Sequence, residues 1–468
     1  MGRGKELVKN TAIVAFGRIC TKFLSFFLLP FYTAVLSQSD YGITDLLNTY
    51  VALLMPVIAF QIEDALFRFI IDIRENDQEK RKIVSTVICF CAFQSICFMA
   101  VFYIVQLFVE IPYQWYLLWN TIISIFSGAL LQMTRGLGNN AVYAFGSFLN
   151  ALTAIVLNIV LILWLDMRAN GLFIAAFAAN VVCVLYIILK QRVYRMVRLK
   201  WFDRSCLKQM LAYSLPLVPN SLSWWVVGAS DKSIVSMVLG VSQNGILSVS
   251  QKFSTLYTNL YGIFNLTWTE SASLHRDDRD SEAYYSQVIG MSFRLLVCMC
   301  IGVIAVVALA FPYLINENFD RAYYQIPIYM LSSLLHSVVG IYSVVYIAFK
   351  KTGKIAKTSV AAAVTNLVTN LILIRIIGLY AASISSVAAY AVMFAIRYFD
   401  IRKFVNIKIG KGVVVSSVLM LAVDIVVYYI RDIRLSVVNL LAAAGYAVWM
   451  NRNILKSVVQ IVRNKLIK

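Results

Sequence analysis

Fourteen apolar stretches of about 20 residues recur along this chain, each long enough to cross a bilayer as a helix. They fall near 11–36, 43–67, 83–108, 115–134, 142–165, 171–189, 211–238, 245–269, 288–312, 325–349, 355–374, 379–396, 412–430 and 435–451. No other feature narrows the fold as far. The composition supports it: 60% of residues are hydrophobic, 14% are charged and the mean hydropathy is +0.76. A soluble domain carries about a quarter charged residues. This much apolar surface needs lipid as a second solvent.

The loops then assign sidedness. If the spans alternate, 32 Lys and Arg residues fall on one side together with both termini, and five fall on the other. The positive-inside rule places the crowded side in the cytoplasm. The formal charge of +19 therefore sits in short loops at the membrane face, where anionic lipid attracts it. That reading excludes nucleic acid as the partner of the charge. The basic segment from Lys190 to Met210 is expected to lie along the inner leaflet.

The two halves flanking that segment resemble each other. VLSQSDYGI (Val35 to Ile43) follows the first span and VLGVSQNGI (Val238 to Ile246) follows the seventh. RGLG at Arg135 parallels KKTG at Lys350. Asn150 and Asn158 in the fifth span parallel Asn366 and Asn370 in the eleventh, and Gly171-Leu172 parallels Gly378-Leu379. Six spans per copy is an even number, so both copies enter the membrane in the same direction. The expected architecture is all-α: two parallel six-helix lobes around a central cavity, plus two C-terminal helices. Its parts are an N-terminal lobe (1–190), a linker (191–210), a second lobe (211–400) and a terminal helix pair with a basic tail (401–468).

Charges inside the spans point to function, because each costs roughly 2.5–3.5 kcal/mol at a helix centre. Arg18 and Lys22 lie within the first span, Lys252 in the eighth and Arg294 in the ninth. Polar residues recur beside them at helical spacing: Asp45, Asn48 and Glu63 in span two, Asn220, Ser223 and Asp231 in span seven, and Ser248, Thr255, Asn259 and Asn265 in span eight. Facing polar stripes would enclose a hydrated path. The alternative for the Asn, Ser and Thr residues is hydrogen bonding between helices, and for Arg18 and Lys22 it is snorkelling to the headgroups. Lys232, about 100° around its helix from Asp231, is also expected to snorkel. Asp64 and Arg68, four residues apart, are expected to pair. Arg397 and Asp400 read as ordinary charges at a span end. Asp424 stands alone, beyond the midplane of its span. It could hydrogen-bond a neighbouring helix through Asn439 or exchange a proton during a cycle.

Catalytic machinery is not evident. The chain lacks a Walker A loop, HExxH, GxSxG and paired catalytic carboxylates. Its eight cysteines form no CxxC pair, and nearly all lie in apolar runs. No enzyme activity, catalytic residue, metal or cofactor is expected.

Four segments resemble bacterial polysaccharide-repeat flippases of the multidrug/oligosaccharidyl-lipid/polysaccharide superfamily. They are KELVKNTAIVAFGRICTKFLSFFLLPFYTAVLSQSDYGITDLLNTY (5–50), RGLGNNAVYAFGSFLNALTAIVLNIVLI (135–162), YSLPLVPNSLSWWVVGASDKSIVSMVLGVSQNGILSVSQKF (213–253) and IAFKKTGKIAKTSVAAAVTNLVTNLILIRIIGLYAASIS (347–385). The resemblance runs in order along almost the whole chain. The family often has Arg after the aspartate at 231; here Lys232 supplies a point charge instead of a planar fork. The resemblance implies an O-antigen- or capsule-type substrate, an oligosaccharide on a polyprenyl pyrophosphate. Arg18, Lys22, Lys252 and Arg294 would then meet the pyrophosphate. Asn48, Asn220, Asn259, Asn265, Trp224, Trp225 and Tyr257 would meet the sugars. Asp45, Asp231 and Asp424 are candidates for coupling to H+ or Na+. It further implies a multi-pass protein of the bacterial cytoplasmic membrane, working beside a polysaccharide polymerase and ligase. A multidrug exporter of the same superfamily is the competing reading; it would need anionic residues for a cationic drug.

Overall fold

The computed structural model describes residues 26, 28–109, 112–275, 278–349, 351–403 and 405–452, except for the side chains at 220, 223, 227, 266, 267, 270, 273, 274 and 352. The described residues are helical almost throughout and contain no strand. Helices satisfy their own backbone groups, which lipid demands. The elements are α1 (Leu29–Val35), α2 (Gln38–Ile58), α3 (Ile62–Asp72), α4 (Asp77–Gln106), α5 (Gln114–Gly136), α6 (Asn140–Ile159), α7 (Arg168–Lys190), α8 (Arg204–Ser214), α9 (Leu217–Val238) and α10 (Val241–Leu274). They continue with α11 (Ser281–Leu314), α12 (Ile326–Ala348), α13 (Thr352–Ile377), α14 (Tyr380–Ile401), α15 (Lys411–Ile430) and α16 (Ile433–Met450).

Eleven of the described helices are long and apolar enough to span a membrane, and each matches one of the predicted spans. Three predicted spans remain. Most of 11–36 lies outside the described residues. The other two are helical as α9 and α10, but their Asn, Ser, Thr and Lys residues keep them out of the apolar set. The protein is an all-α, polytopic membrane protein.

Span two departs from a simple helix. Phe60 and Gln61 adopt left-handed backbone, with φ of 50° and 51°, and separate α2 from α3. Pro56, four residues earlier, is the local sequence signal. The side chains around the break hold it: Phe60 packs on Phe90, centroid to centroid 6.2 Å, and Gln61 Nε2 donates to Ser221 Oγ.

Two compact units divide the chain, Met1–Gly245 and Ile246–Lys468. In the first, α3 packs on α5, α5 on α7 and α6 on α7. Its core is an apolar cluster from α3, α4, α5 and α7, including Ile62, Leu66, Val84, Leu130 and Ile187, each at most 2% exposed. The basic segment after α7 docks onto the start of α4. Ser85 Oγ donates to Met196 O (2.8 Å), Asp203 N donates to Thr86 Oγ1 (3.1 Å), and Lys82 pairs with Asp203 (3.0 Å). Asp203 also caps α8 by accepting from Cys206 N. In the second unit α14 packs on α12 and α13, and α11 packs on α12, α15 and α16.

Polar side chains bridge neighbouring helices in both units. In the first unit, Asn150 on α6 donates to Asn180 on α7 (3.1 Å). In the second, Asn366 on α13 donates to Ser385 on α14 (3.3 Å). These asparagines join neighbouring helices, as the interhelical alternative expects.

Candidate functional site

Polar residues of α2 meet those of α9 and of the start of α10 along one seam inside the first unit. Ser242 Oγ donates to Gln38 Oε1 (2.7 Å), and Asn244 Nδ2 donates to the Gly42 carbonyl (2.8 Å). Asp45 and Lys232 form an ion pair at 2.7 Å. Trp225 Nε1 donates to the Thr49 carbonyl (3.0 Å), and Gln61 reaches Ser221. From Asp45 through Thr49 to Gln61 the partner's number falls from Lys232 through Trp225 to Ser221, so α2 and α9 run antiparallel.

At the end where α10 begins, the two repeated turns touch each other. A Cβ built on Gly42 would lie 2.1 Å from the Val241 carbonyl oxygen, and one on Gly245 would lie 2.1 Å from that of Gln38. A shift of 203 residues carries Gln38 to 241 and Gly42 to 245. The two contacts are one contact seen from both copies, as in an isologous interface. Neither position has room for a side chain.

The Asp45 and Lys232 side chains are 17% and 16% exposed, so each is largely withdrawn from solvent. A charge withdrawn this far needs its partner, because an unpaired ion costs several kcal/mol to desolvate. Lys232 therefore turns inward to α2 instead of snorkelling, a correction to the sequence reading. Its 100° offset from Asp231, which is itself buried, is what aims it at α2.

The other predicted site residues fall into three groups. Arg18, Lys22 and the side chain of Asn220 lie outside the described residues. Asn48 and Trp224 are exposed on the first unit. In the second unit, α10 buries Ser250, Phe253, Tyr257 and Tyr261 and leaves Lys252, Thr255 and Asn259 on a face not fully covered. Arg294, half-buried on α11, keeps its Nε without a hydrogen-bond partner. Asn265 is already engaged, since its Oδ1 accepts from Tyr261 (2.8 Å). Tyr257 is removed from the sugar-contact set: it is 1% exposed and its hydroxyl donates to the Leu296 carbonyl (3.0 Å).

Two more expectations change. Arg68 pairs with Asp72 at 2.7 Å, not with Asp64, which instead accepts from Gln132 Nε2 (3.1 Å). Arg397 is no ordinary span-end charge. It is fully buried, and its guanidinium donates to Thr358 Oγ1 (2.9 Å), the Val339 carbonyl (3.2 Å) and Ser343 Oγ. It ties α14 to α12 and α13. The only hint in the sequence was small hydroxyl residues on the neighbouring spans. Asp424 is also fully buried and accepts from Asn439 Nδ2, joining α15 to α16.

With this geometry in hand, known proteins give the context. No curated protein matches the sequence closely enough to count as a relative. Among solved structures, an inward-facing multidrug-resistance MATE-family transporter of the MOP superfamily aligns over 83% of this chain and 98% of its own, with a TM-score of 0.68 and 14% identity. The lipid II flippase MurJ, in an inward closed conformation, aligns over 96% of this chain and all of its own, with a TM-score of 0.64 and 13% identity. An outward-facing MATE transporter aligns over 84% and 95% with a TM-score of 0.57 and 15% identity. At these identities the likeness is one of fold. The family described as "Polysaccharide biosynthesis protein" matches residues 7–269, more than half of the chain. The chain is a member of the polysaccharide biosynthesis protein family, built on the fold shared by MATE transporters and MurJ.

Proposed function

We propose that this protein flips a polyprenyl-pyrophosphate-linked oligosaccharide from the cytoplasmic to the outer leaflet of a bacterial cytoplasmic membrane by alternating access. The observation that carries the reading is the charge inside the spans. Lys252 and Arg294 are cations at membrane depth, and no carboxylate pairs with either among the described residues. A pyrophosphate is the kind of ligand that would compensate such charges. Arg18 and Lys22, by sequence, would add two more. Sugars would be met by Asn48, Asn259 and the exposed Trp224. Family membership and the fold shared with a lipid II flippase support a lipid-linked substrate. In this role the protein would supply a polymerase and ligase with repeat units, and both termini would be cytoplasmic.

The exporter reading draws its support from the likeness to MATE transporters, which reaches no further than fold. A cationic drug would need accessible carboxylates. Asp45 is taken by Lys232, and Asp424 is buried against Asn439. If an ion drives the cycle, Asp45, Asp231 and Asp424 are the candidates to carry it.

Vesicles containing the purified protein decide between the two. Protein-dependent exposure of a lipid-linked oligosaccharide on the far leaflet, lost in Arg294→Ala, is the expected result. Export of a cationic dye without movement of the lipid-linked sugar would overturn the proposal.

A further inference from the structure

A cavity of about 860 Å³ lies in the second unit, among α11, α12, α14 and α15. Its wall is apolar, with Leu335, Phe394 and Leu421 representative. Arg402, Lys408 and Lys411 line one end. On α15 the lining runs from Lys411 to Leu421, about 15 Å at 1.5 Å per residue, which is half of a hydrocarbon core about 30 Å thick. The groove is therefore one leaflet deep, with its basic end at the side of the crowded loops.

That end is built for an anion. Asp400, the carboxylate nearest in sequence, is held by Lys354 (2.8 Å) and Lys403 (3.9 Å), and no carboxylate pairs with Arg402, Lys408 or Lys411 among the described residues. The Arg402 guanidinium sits 4.3 Å over the Tyr398 ring, which also lines the cavity. α15 begins after Gly410 with no side-chain cap, and the Lys411 and Gly412 N–H groups, which precede the first helical bond from Val413 to Gly410, point to the same end. A basic mouth above an apolar wall of single-leaflet depth matches an acidic headgroup and one acyl chain. A polyprenyl carrier is too long for a groove that stops near the midplane.

We infer that this groove is a binding site for an anionic phospholipid, its phosphate held by Arg402, Lys408 and Lys411 and one acyl chain lying along the apolar wall. The inference rests on the membrane fold and not on the substrate proposed above, so either can fail alone.

The test uses the full-length protein in detergent, titrated with palmitoyl-oleoyl-phosphatidylglycerol or with its phosphatidylcholine counterpart. Native mass spectrometry and thermal unfolding are the readouts. Phosphatidylglycerol should remain bound and raise Tm, and phosphatidylcholine should do neither. The triple variant Arg402→Gln, Lys408→Gln, Lys411→Gln should weaken phosphatidylglycerol binding by about a hundredfold, at roughly fivefold per basic residue. Leu335→Trp should block the chain without touching the charges. If it fails to fold, the triple variant still decides. Equal binding of the two lipids, or less than about threefold weakening in the triple variant, would overturn the assignment. So would displacement of bound phosphatidylglycerol by polyprenyl phosphate, which would give the groove to the substrate's carrier.

Discussion

Alanine at Gly42 tests the contact between the repeated turns most directly. The new methyl would sit 2.1 Å from the Val241 carbonyl oxygen and 2.8 Å from the Gly245 nitrogen, both backbone atoms. Side-chain rotation cannot relieve a clash with backbone, so the two turns must separate by roughly 1 Å or more. Overpacking of this kind costs about 1–3 kcal/mol, which lowers the population of the closed contact by about 5- to 150-fold. Gly245→Ala pushes the same two backbones apart through the Gln38 carbonyl. Once the turns have parted, the second methyl finds room, so the double variant should cost clearly less than the sum of the two. Gly302→Ala is the control: nothing lies within 4 Å of its Cβ, and alanine in a helix is favoured over glycine by about 1 kcal/mol. The assay is thermal unfolding of detergent-purified protein, with cross-linking of cysteines placed at Gln38 and Ser242 as a direct measure of the contact. Loss of cross-linking and a lower Tm in each single variant are expected. If both single variants unfold like the parent, or if the double variant is strictly additive, the reasoning is wrong.

Four further outcomes are expected. Removing one partner of the Asp45–Lys232 pair, as in Lys232→Ala, should destabilise by about 2 kcal/mol, because it takes the cation away from a largely buried carboxylate. The swap Asp45→Lys with Lys232→Asp should recover most of the loss in Tm. Asp424→Asn keeps an acceptor for Asn439 and should transport nearly normally, while Asp424→Leu should lose about 1–3 kcal/mol by leaving that amide unsatisfied; loss of transport in a stable Asn variant would make Asp424 a proton carrier. Arg397→Lys should unfold at lower temperature than the parent, since one ammonium cannot reproduce a fork that reaches Thr358, Val339 and Ser343 at once. Asp203 is held below the ordinary carboxylate pKa by the Cys206 N–H and by Lys82. Its contribution is present above its unfolded pKa and is lost as pH falls through its lowered folded value; hydrogen exchange at Cys206 should therefore keep its protection until pH falls below the ordinary carboxylate range, and Asp203→Asn should remove the transition.

The bilayer made much of this fold legible. A solvent about 30 Å thick writes its dimension into the chain, so eleven described helices fall where hydropathy places them. The two similar turns were legible for a related reason: Gly42 and Gly245 have no room for any other residue. The seam was harder to read. Asp45 and Lys232 are far apart in sequence, and only the packing of α2 on α9 makes them partners. Local rules also misled where two were satisfied together. Arg68 stands four residues from both Asp64 and Asp72, and spacing cannot choose between them; Gln132, from α5, takes Asp64. Arg397 was misread because span-end arginines usually reach water, and its hydroxyl partners come from two other helices.

The break at Phe60 and Gln61 has one consequence beyond shape. Neither residue is glycine, and left-handed backbone costs each of them about 1–3 kcal/mol. Glycine would relieve the cost but would abandon the Phe90 and Ser221 contacts. Span two is thus bent at a cost in backbone strain, and Gln61 ties the bend to α9. The sequence has set a bend in the middle of a membrane helix and secured it with an aromatic contact, a side-chain hydrogen bond and the backbone bond from Ile62 N to the Ala59 carbonyl.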